Sequence, residues 1–345
     1  MTKVAVAVSG GVDSGTALYL LKKEGFSVAA FFTDYFKCES PRGGSSCCGT
    51  DNVRTARETA DMLKVPFYSV DMKRDYDREI IEPFVKYYRM GKTPNPCVWC
   101  NSRLRFGIFM DKIISMGFNM LATGHYARIK DSALAKARDS SKDQSYFLYG
   151  IGRKRLNSII FPLGNTTKEK VRRIAKEAGL PVKNSRESQD CCILKGGGLG
   201  SYLKKEIGEF PGDVVDESGR VVAGHKGYYN YTLGQRVRIG GLKEKKYITA
   251  IIPEENRVVM GDEERLFRKN LKFRVSSESV LSVKSDSLEA KIRYAQKPAA
   301  CRIAALDTKT NICKIEFIIP QRAPTPGQSV VLYKRDIVVG GGEII

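Results

Sequence analysis

The apolar run Lys3–Val8 passes without a spacer into Ser9-Gly10-Gly11-Val12-Asp13-Ser14, and residues 15–24 then carry apolar side chains at helical spacing. A strand that turns on paired glycines straight into a helix is the basic step of a parallel α/β sheet. Two glycines let the backbone turn tightly and approach a ligand closely. The helix points its unsatisfied N–H groups and positive dipole end at the same spot, and Ser9 and Ser14 add hydroxyls. The result is an anion site of pyrophosphate size. Asp13 is unusual in a phosphate cradle and reads as a Mg²⁺ ligand or a helix cap. The Gly-x-x-x-x-Gly-Lys pattern of a Walker loop is missing.

The first two hundred residues continue the alternation. Residues 27–33, 66–70 and 119–123 read as strands, and residues 51–63, 101–116 and 167–178 as helices, the last with Thr167 as cap and Gly179 as stop. Ligands of such sheets bind beyond the strand C-termini. After the glycine-rich residues 196–200, short β-rich segments separated by turns run to the end, at 246–252, 257–260, 271–275, 290–294, 313–319 and 329–333. That texture predicts a small barrel. The expected division is 1–200, 201–270 and 271–345. No stretch is apolar enough to span a membrane and no signal peptide opens the chain, so it reads as cytoplasmic. Its 345 residues hold 58 Lys and Arg against 38 Asp and Glu, and a formal charge of +20 favours a polyanionic partner.

Nine cysteines in a chain without an export signal do not suggest a structural disulfide framework. Cys97 and Cys100 form a CxxC between two prolines and a predicted helix, whose N-terminus favours thiolate. Cys191 and Cys192 follow Ser188-Gln189-Asp190 in a polar stretch, Cys47-Cys48 precedes the residue 51 helix, and Cys301 and Cys313 fall in β-rich segments as buried hydrophobes. Zinc, a redox pair, and a nucleophilic sulfur carrier that could double as a cluster site all remain open. One CxxC with only two histidines, His125 and His225, makes zinc the weakest.

The glycine loop resembles the pyrophosphate loop of the ATP pyrophosphatases. With it stand Thr93-Pro-Asn-Pro-Cys97, Ala122-Thr-Gly-His-Tyr-Ala-Arg128, Lys142-Asp-Gln-Ser-Tyr-Phe147, Phe161-Pro-Leu-Gly164, Tyr231-Thr-Leu-Gly-Gln-Arg236, Lys291-Ile-Arg-Tyr294 and Pro326-Gly-Gln328. Together they resemble the bacterial tRNA-specific 2-thiouridylases over nearly the whole chain. The resemblance implies an adenine-nucleotide α-hydrolase-like catalytic domain with a parallel sheet, a small central domain and a C-terminal β-barrel. It implies ATP, with Mg²⁺, on Ala7, Val8, Ser9, Gly10, Gly11, Val12, Asp13 and Ser14, with Thr33 and Gly124 near the adenosine. Cys100 and Cys192 become the catalytic pair, Cys192 carrying the persulfide. Asn95, Pro96 and Cys97 lie at the target base, and His125, Lys142, Asp143, Gln144, Arg293, Tyr294 and Gln328 contact tRNA. A cysteine desulfurase or sulfur relay protein supplies sulfur. Alternatives are an adenylating thiolase acting on another RNA position and a catalytically silent tRNA-binding protein.

The sequence departs from the family pattern at position 97, which is Asp in some members and Cys here. Cys97, Cys100 and Cys192 are thereby also a candidate ligand set for a [4Fe-4S] cluster. Cys191 replaces a usual apolar residue beside Cys192.

Affinity for tRNA is expected to fall steeply with salt. With ~6 phosphates contacted the log–log slope is about −4 to −5. A flat response in fluorescence anisotropy would remove the +20 charge as the binding footprint.

Overall fold

The structure is a computed structural model that describes residues 2–35, 50–181, 193, 198–240, 244–276 and 287–345. Contacts divide the chain into two compact units, one of Met1–Ile80, Cys97–Cys192 and Asp336–Val338, the other of Ile81–Pro96, Ile193–Arg335 and Val339–Ile345. The linear division at 200 and 270 does not anticipate the excursion of Ile81–Pro96 into the second unit.

In the first unit the strands are β1 (Lys3–Val8), β2 (Ser27–Asp34), β3 (Phe67–Asp71), β4 (Met120–Thr123), β5 (Ala127–Lys130), β6 (Ala133–Lys136) and β7 (Ile159–Ile160). Five form an all-parallel sheet in the order β3-β2-β1-β4-β7. Alternate residues of β1, Val4, Val6 and Val8, are buried with Leu18 and Leu21 of helix α1 (Val12–Lys23) and with Ala56 of helix α2 (Thr50–Met62). The hairpin β5–β6 turns on Asp131 and Ser132, both at positive φ (51° and 56°), the geometry that matches strand twist. Residues 336–338 count with this unit because Ile337 pairs with Ala135.

Two local expectations shift. The helix read at 101–116 starts at Pro96, since proline suits a first helical position, and continues through Pro96–Trp99, Cys100–Phe109 and Met110–Ser115. Its middle is π-helical, with the Met110 N–H reaching the Arg105 carbonyl. The helix Lys168–Glu177 matches its reading, with Thr167 Oγ1 accepting from the Lys170 N–H and Gly179 at φ 62°.

The second unit carries β8 (Gly212–Val215), β9 (Val221–His225), β10 (Tyr247–Ile252), β11 (Arg257–Gly261), β12 (Phe267–Val275), β13 (Leu288–Lys291), β14 (Ala299–Asp307), β15 (Ile312–Arg322), β16 (Ser329–Lys334) and β17 (Ile337–Ile344). β10-β11-β8-β9 form the small central sheet. The last six run β12-β15-β14-β13-β16-β17, and β12–β17 pairing closes the barrel. Its interior holds Phe273, Ile315, Phe317, Val330 and Leu332, together with the buried Cys301 and Cys313. The excursion helix Glu82–Arg89 is tied into this unit by three bonds. Tyr87 donates to Glu343 (2.6 Å), Arg89 to the Glu206 carbonyl (3.0 Å), and Tyr228 to the Arg89 carbonyl (2.7 Å). No helix among the described residues is long and apolar enough to cross a membrane.

Barrel closure has a steric requirement at Gly342, where a Cβ would overlap the Arg274 carbonyl oxygen and come within 2.6 Å of the Phe273 ring. Gly342→Ala is expected to cost about 3 kcal/mol in the barrel. Hydrogen exchange at β12 and β17 amides should then quicken roughly 100-fold. Unchanged protection there would show that the seam adapts to a methyl group.

Candidate functional site

The order of the parallel sheet reverses between β1 and β4, and at such a switch point the two following loops part and leave a crevice at the strand C-termini. The loop after β1 is Ser9 to Gly11. Gly10 sits at φ 77° with the Asn52 carbonyl oxygen 2.5 Å from where a Cβ would stand, so only glycine fits. The Ser9 N–H donates to Ser14 Oγ (3.0 Å), which donates to the Gly11 carbonyl (3.1 Å), closing the turn on itself. Gly11 precedes α1 in extended conformation and no side chain caps the helix. The cap reading of Asp13 is thereby excluded. After β4, Gly124 lies so close to α1 that a Cβ would stand 2.8 Å from the Ser14 nitrogen. Ala7 and Val8 close β1, and Thr33 stands half-buried near the end of the neighbouring β2.

Asp13 does not stand alone. Both its carboxylate oxygens lie 2.6 Å from Lys168 Nζ, and the Tyr126 hydroxyl donates to Oδ1 at 2.8 Å. Lys168 opens the helix after β7, so loops beyond β1, β4 and β7 converge on one carboxylate. Gln144 brackets Tyr126, its Oε1 accepting the Tyr126 N–H (2.9 Å) and its own N–H donating to the Tyr126 carbonyl (2.8 Å). The sequence reading missed Lys168. Its available signal was a lysine four residues past Phe161-Pro-Leu-Gly164, inside a generally basic stretch.

The CxxC lies on the first turn of the helix that begins at Pro96. Val98 and Trp99 are buried while Cys97 and Cys100, three apart, are both half-buried, which puts the two thiols on the same, more accessible side. The neighbouring Asn101 is buried and holds Arg105, whose Nη1 donates to Asn101 Oδ1 at 2.8 Å. Arg105 Nη1 also lies 3.5 Å from His125 Nε2. A guanidinium only donates, so Nε2 accepts and the proton sits on Nδ1, 2.8 Å from Thr123 Oγ1. The ring packs against Phe106 and Phe161. Burial and the Arg105 charge push its pKa down to about 3.

Residues 2–196 match the tRNA methyl transferase HUP domain family, 200–262 the tRNA methyl transferase PRC-barrel domain and 264–344 the aminomethyltransferase beta-barrel domain. The tRNA-specific 2-thiouridylase of Clostridium tetani is 40% identical over 99% of this chain and 96% of its own. That of Caldicellulosiruptor saccharolyticus is 39% identical over 99% and 98%, and that of Geobacter metallireducens 37% over 99% and 96%. The chain belongs to the tRNA-specific 2-thiouridylase family.

Other residues expected from the 2-thiouridylase resemblance fall into three groups. Cys192, with Ser188, Gln189, Asp190 and Cys191, lies outside the described residues, as do Cys47 and Cys48. Among the described residues no group of three or more His, Cys, Asp or Glu could hold a metal ion. Asp143 is buried, and its carboxylate accepts from the Ala137 and Ser145 N–H groups and the Ser145 hydroxyl; Lys142 beside it is half-buried. In the second unit Gln328 donates to the carbonyls of Thr93 (2.9 Å) and Pro94 (3.2 Å), immediately before Asn95 and Pro96. Arg293 donates to Thr325 Oγ1 (2.7 Å) and to the Leu233 carbonyl (3.1 Å), while Tyr294 is exposed beneath Lys291.

His125 should stay neutral, with its proton on Nδ1, down to about pH 3. An imidazole whose folded pKa is depressed loses stability for the fold as pH falls below the ordinary 6.5, because the unfolded chain takes the proton first. Imidazole ¹⁵N shifts across a pH titration report this directly. A His125 midpoint near 6.5 would break the Arg105 hydrogen-bond assignment.

Proposed function

We propose that this protein makes 2-thiouridine at the wobble position of tRNA, using ATP to activate the uridine C2 carbonyl and cysteine-borne sulfur to replace its oxygen. The observation that carries the reading is the glycine loop at the sheet's switch point, in a chain related along its whole length to tRNA-specific 2-thiouridylases. ATP lies on Ala7 to Ser14 with its adenosine toward Thr33 and Gly124, and Asp13 is the carboxylate that would hold an accompanying Mg²⁺. The uridine leaves its stack and enters near Asn95, Pro96, Cys97 and Cys100. Its O2 attacks the α-phosphorus, the α–β phosphoanhydride bond breaks, and pyrophosphate leaves. AMP is then a leaving group where hydroxide is not. Donors at the α1 N-terminus stabilise the phosphate charge.

The terminal sulfur of a Cys192 persulfide attacks C2, and AMP departs with the original oxygen. The Cys100 thiolate attacks the Cys192 sulfur, the S–S bond to the nucleoside breaks, and 2-thiouridine is released beside a Cys100–Cys192 disulfide. A dithiol reductant restores both thiols, and a cysteine desulfurase or sulfur relay protein reloads Cys192. Neutral His125, whose Nδ1–H faces Thr123, fits a positioning role better than proton transfer. Residues 1–200 carry the chemistry and also meet tRNA through Lys142 and Gln144, with Asp143 shaping their loop, while Arg293, Tyr294 and Gln328 of 271–345 are further contacts or supports of contacts. The setting is the cytoplasm, where tRNA is modified.

Cys97 favours a second route for the sulfur. Three soft ligands, Cys97, Cys100 and Cys192, suit an iron–sulfur cluster with one open iron. Two of the three already share one helical turn. Iron and sulfide analysis of anaerobically prepared Cys97→Ala protein separates the routes, since full thiolation without iron leaves only the persulfide.

Cys192→Ser is expected to abolish 2-thiouridine while tRNA-dependent pyrophosphate release persists. Cys191→Ser should change either rate by less than about threefold, under ~1 kcal/mol of barrier. Nucleoside mass spectrometry and a pyrophosphate assay check both. Full 2-thiouridine from the Cys192 variant, with loss in the Cys191 variant, would reassign the carrier.

A further inference from the structure

We propose that Lys168, ion-paired with Asp13, is the phosphate-binding cation of the glycine loop and transfers to the triphosphate when ATP enters. This rests on the reading that the nucleotide lies on that loop.

Lys168 is almost wholly buried, its side chain only 10% exposed. Lysine is rarely buried without a strong reason, because removing an ammonium from water costs several kcal/mol even when it is paired. A structural ion pair is a poor reason, since an apolar pair of similar volume is often as stable. Here the lysine is aimed with care. Its backbone N–H is held by Asp139 Oδ2 (3.0 Å), the turn it opens is capped by Thr167, and the Tyr126 ring lies 5.7 Å from Nζ. Val171 of the same helix packs with Ala17 of α1, Tyr126 and Leu163 in one apolar cluster. The lysine's base and the glycine loop's helix are therefore fixed to one another, and only the ammonium end has freedom to move.

The place where it ends is the first turn of α1, where no side chain caps the helix and the backbone N–H groups favour an anion. Asp13 is itself an anion at that turn, and it is a third exposed. A polyphosphate entering the crevice brings more negative charge than one carboxylate, so it competes for the same ammonium. Transfer of Lys168 to phosphate leaves Asp13 held by the Tyr126 hydroxyl and open to a divalent cation arriving with the nucleotide. The lysine thus neutralises Asp13 before ATP binds, when that charge would repel the incoming phosphates, and neutralises phosphate afterwards.

The test is isothermal titration of purified full-length variants with ATP and, separately, AMP, alongside nucleotide-free melting curves. Lys168→Met should weaken ATP at least tenfold and AMP less than twofold, with Lys168→Arg recovering most of the loss. The double variant Lys168→Met with Asp13→Asn separates two causes. If exposed Asp13 charge alone repelled ATP, the double variant would regain affinity, and the proposal would fall; under the proposal it stays weak. Wild-type ATP affinity in Lys168→Met, or equal losses for ATP and AMP with a lowered melting temperature, would also overturn it. Gly11→Ala tests the underlying loop reading by itself, because a methyl group there meets only Ser9 Oγ at 3.5 Å and the fold accepts it. ATP binding lost in Gly11→Ala but kept in Lys168→Met leaves the loop reading standing and removes Lys168; binding kept in both removes the two together.

Discussion

The backbone of the turn after β4 approaches the first turn of α1 more closely than any side chain allows. At Gly124 an added Cβ would stand 2.8 Å from the Ser14 nitrogen and 2.9 Å from the Asp13 carbonyl carbon. This contact joins the two loops of the sheet's switch point into one wall. Tyr126, two residues further on, can then reach Asp13 with its hydroxyl, and His125 faces the Arg105 side of the Cys100 helix. A larger residue at 124 would separate the loops and with them the carboxylate, the tyrosine and the histidine. The same principle recurs at Gly10, where the obstructing atom is the Asn52 carbonyl oxygen of α2. Space, more than hydrogen bonding, decides which residues this crevice tolerates.

Much of the fold was legible because it depends on local pattern. Lys3–Val8 is strand β1 residue for residue, and Thr167 and Gly179 bound the helix Lys168–Glu177 as cap and stop chemistry require. Four of the six barrel strands have a counterpart in the sequence pattern, with shifted ends: β15 spans Ile312–Arg322 against a reading of 313–319, its exposed half, with Ile318 and Ile319 out in solvent, lacking alternation. Hairpin β5–β6 and strands β14 and β17 carry small residues and glycines and gave no clear period. The partnership of Lys168 with Asp13 spans 155 residues, and no periodicity records an ion pair at that distance. The family resemblance assigns Gln144 to a tRNA-contacting group, and its side-chain oxygen accepts the Tyr126 N–H. A motif shows that a residue type is needed at a position, and only geometry shows what its side chain touches.

Charge also reads differently at two scales. The excess of Lys and Arg describes a long-range field that draws a polyanion toward the protein. Within the first unit the charges are individually assigned. Lys168 faces Asp13, Arg105 faces a histidine that burial and then its own charge keep neutral, and Asp143 is closed off by three donors. Net charge thus bears on encounter and holding, while individual charged side chains meet specific partners.

The segment leading to the CxxC draws its order from far along the chain. Pro94 and Pro96 restrict their own φ and the residues before them, which narrows the segment but does not place it. Placement comes from the turn before β16. The Thr93 N–H donates to the Pro326 carbonyl (3.0 Å), Gln328 donates to both the Thr93 and Pro94 carbonyls, and Gly327 at φ 89° brings its backbone within 3.0 Å, measured from a would-be Cβ, of the Thr93 oxygen. Arg293 in turn fastens Thr325, whose carbonyl accepts the Gln328 N–H. Each such bond contributes only about 1 kcal/mol net, yet together they remove most of the freedom that two prolines leave. Two motifs that resemblance alone assigns to tRNA, Arg293 and Gln328, are therefore joined in one path from the barrel to Asn95 and Pro96. The approach to Asn95 and Pro96 is thus held from the turn before β16 as well as by its own prolines.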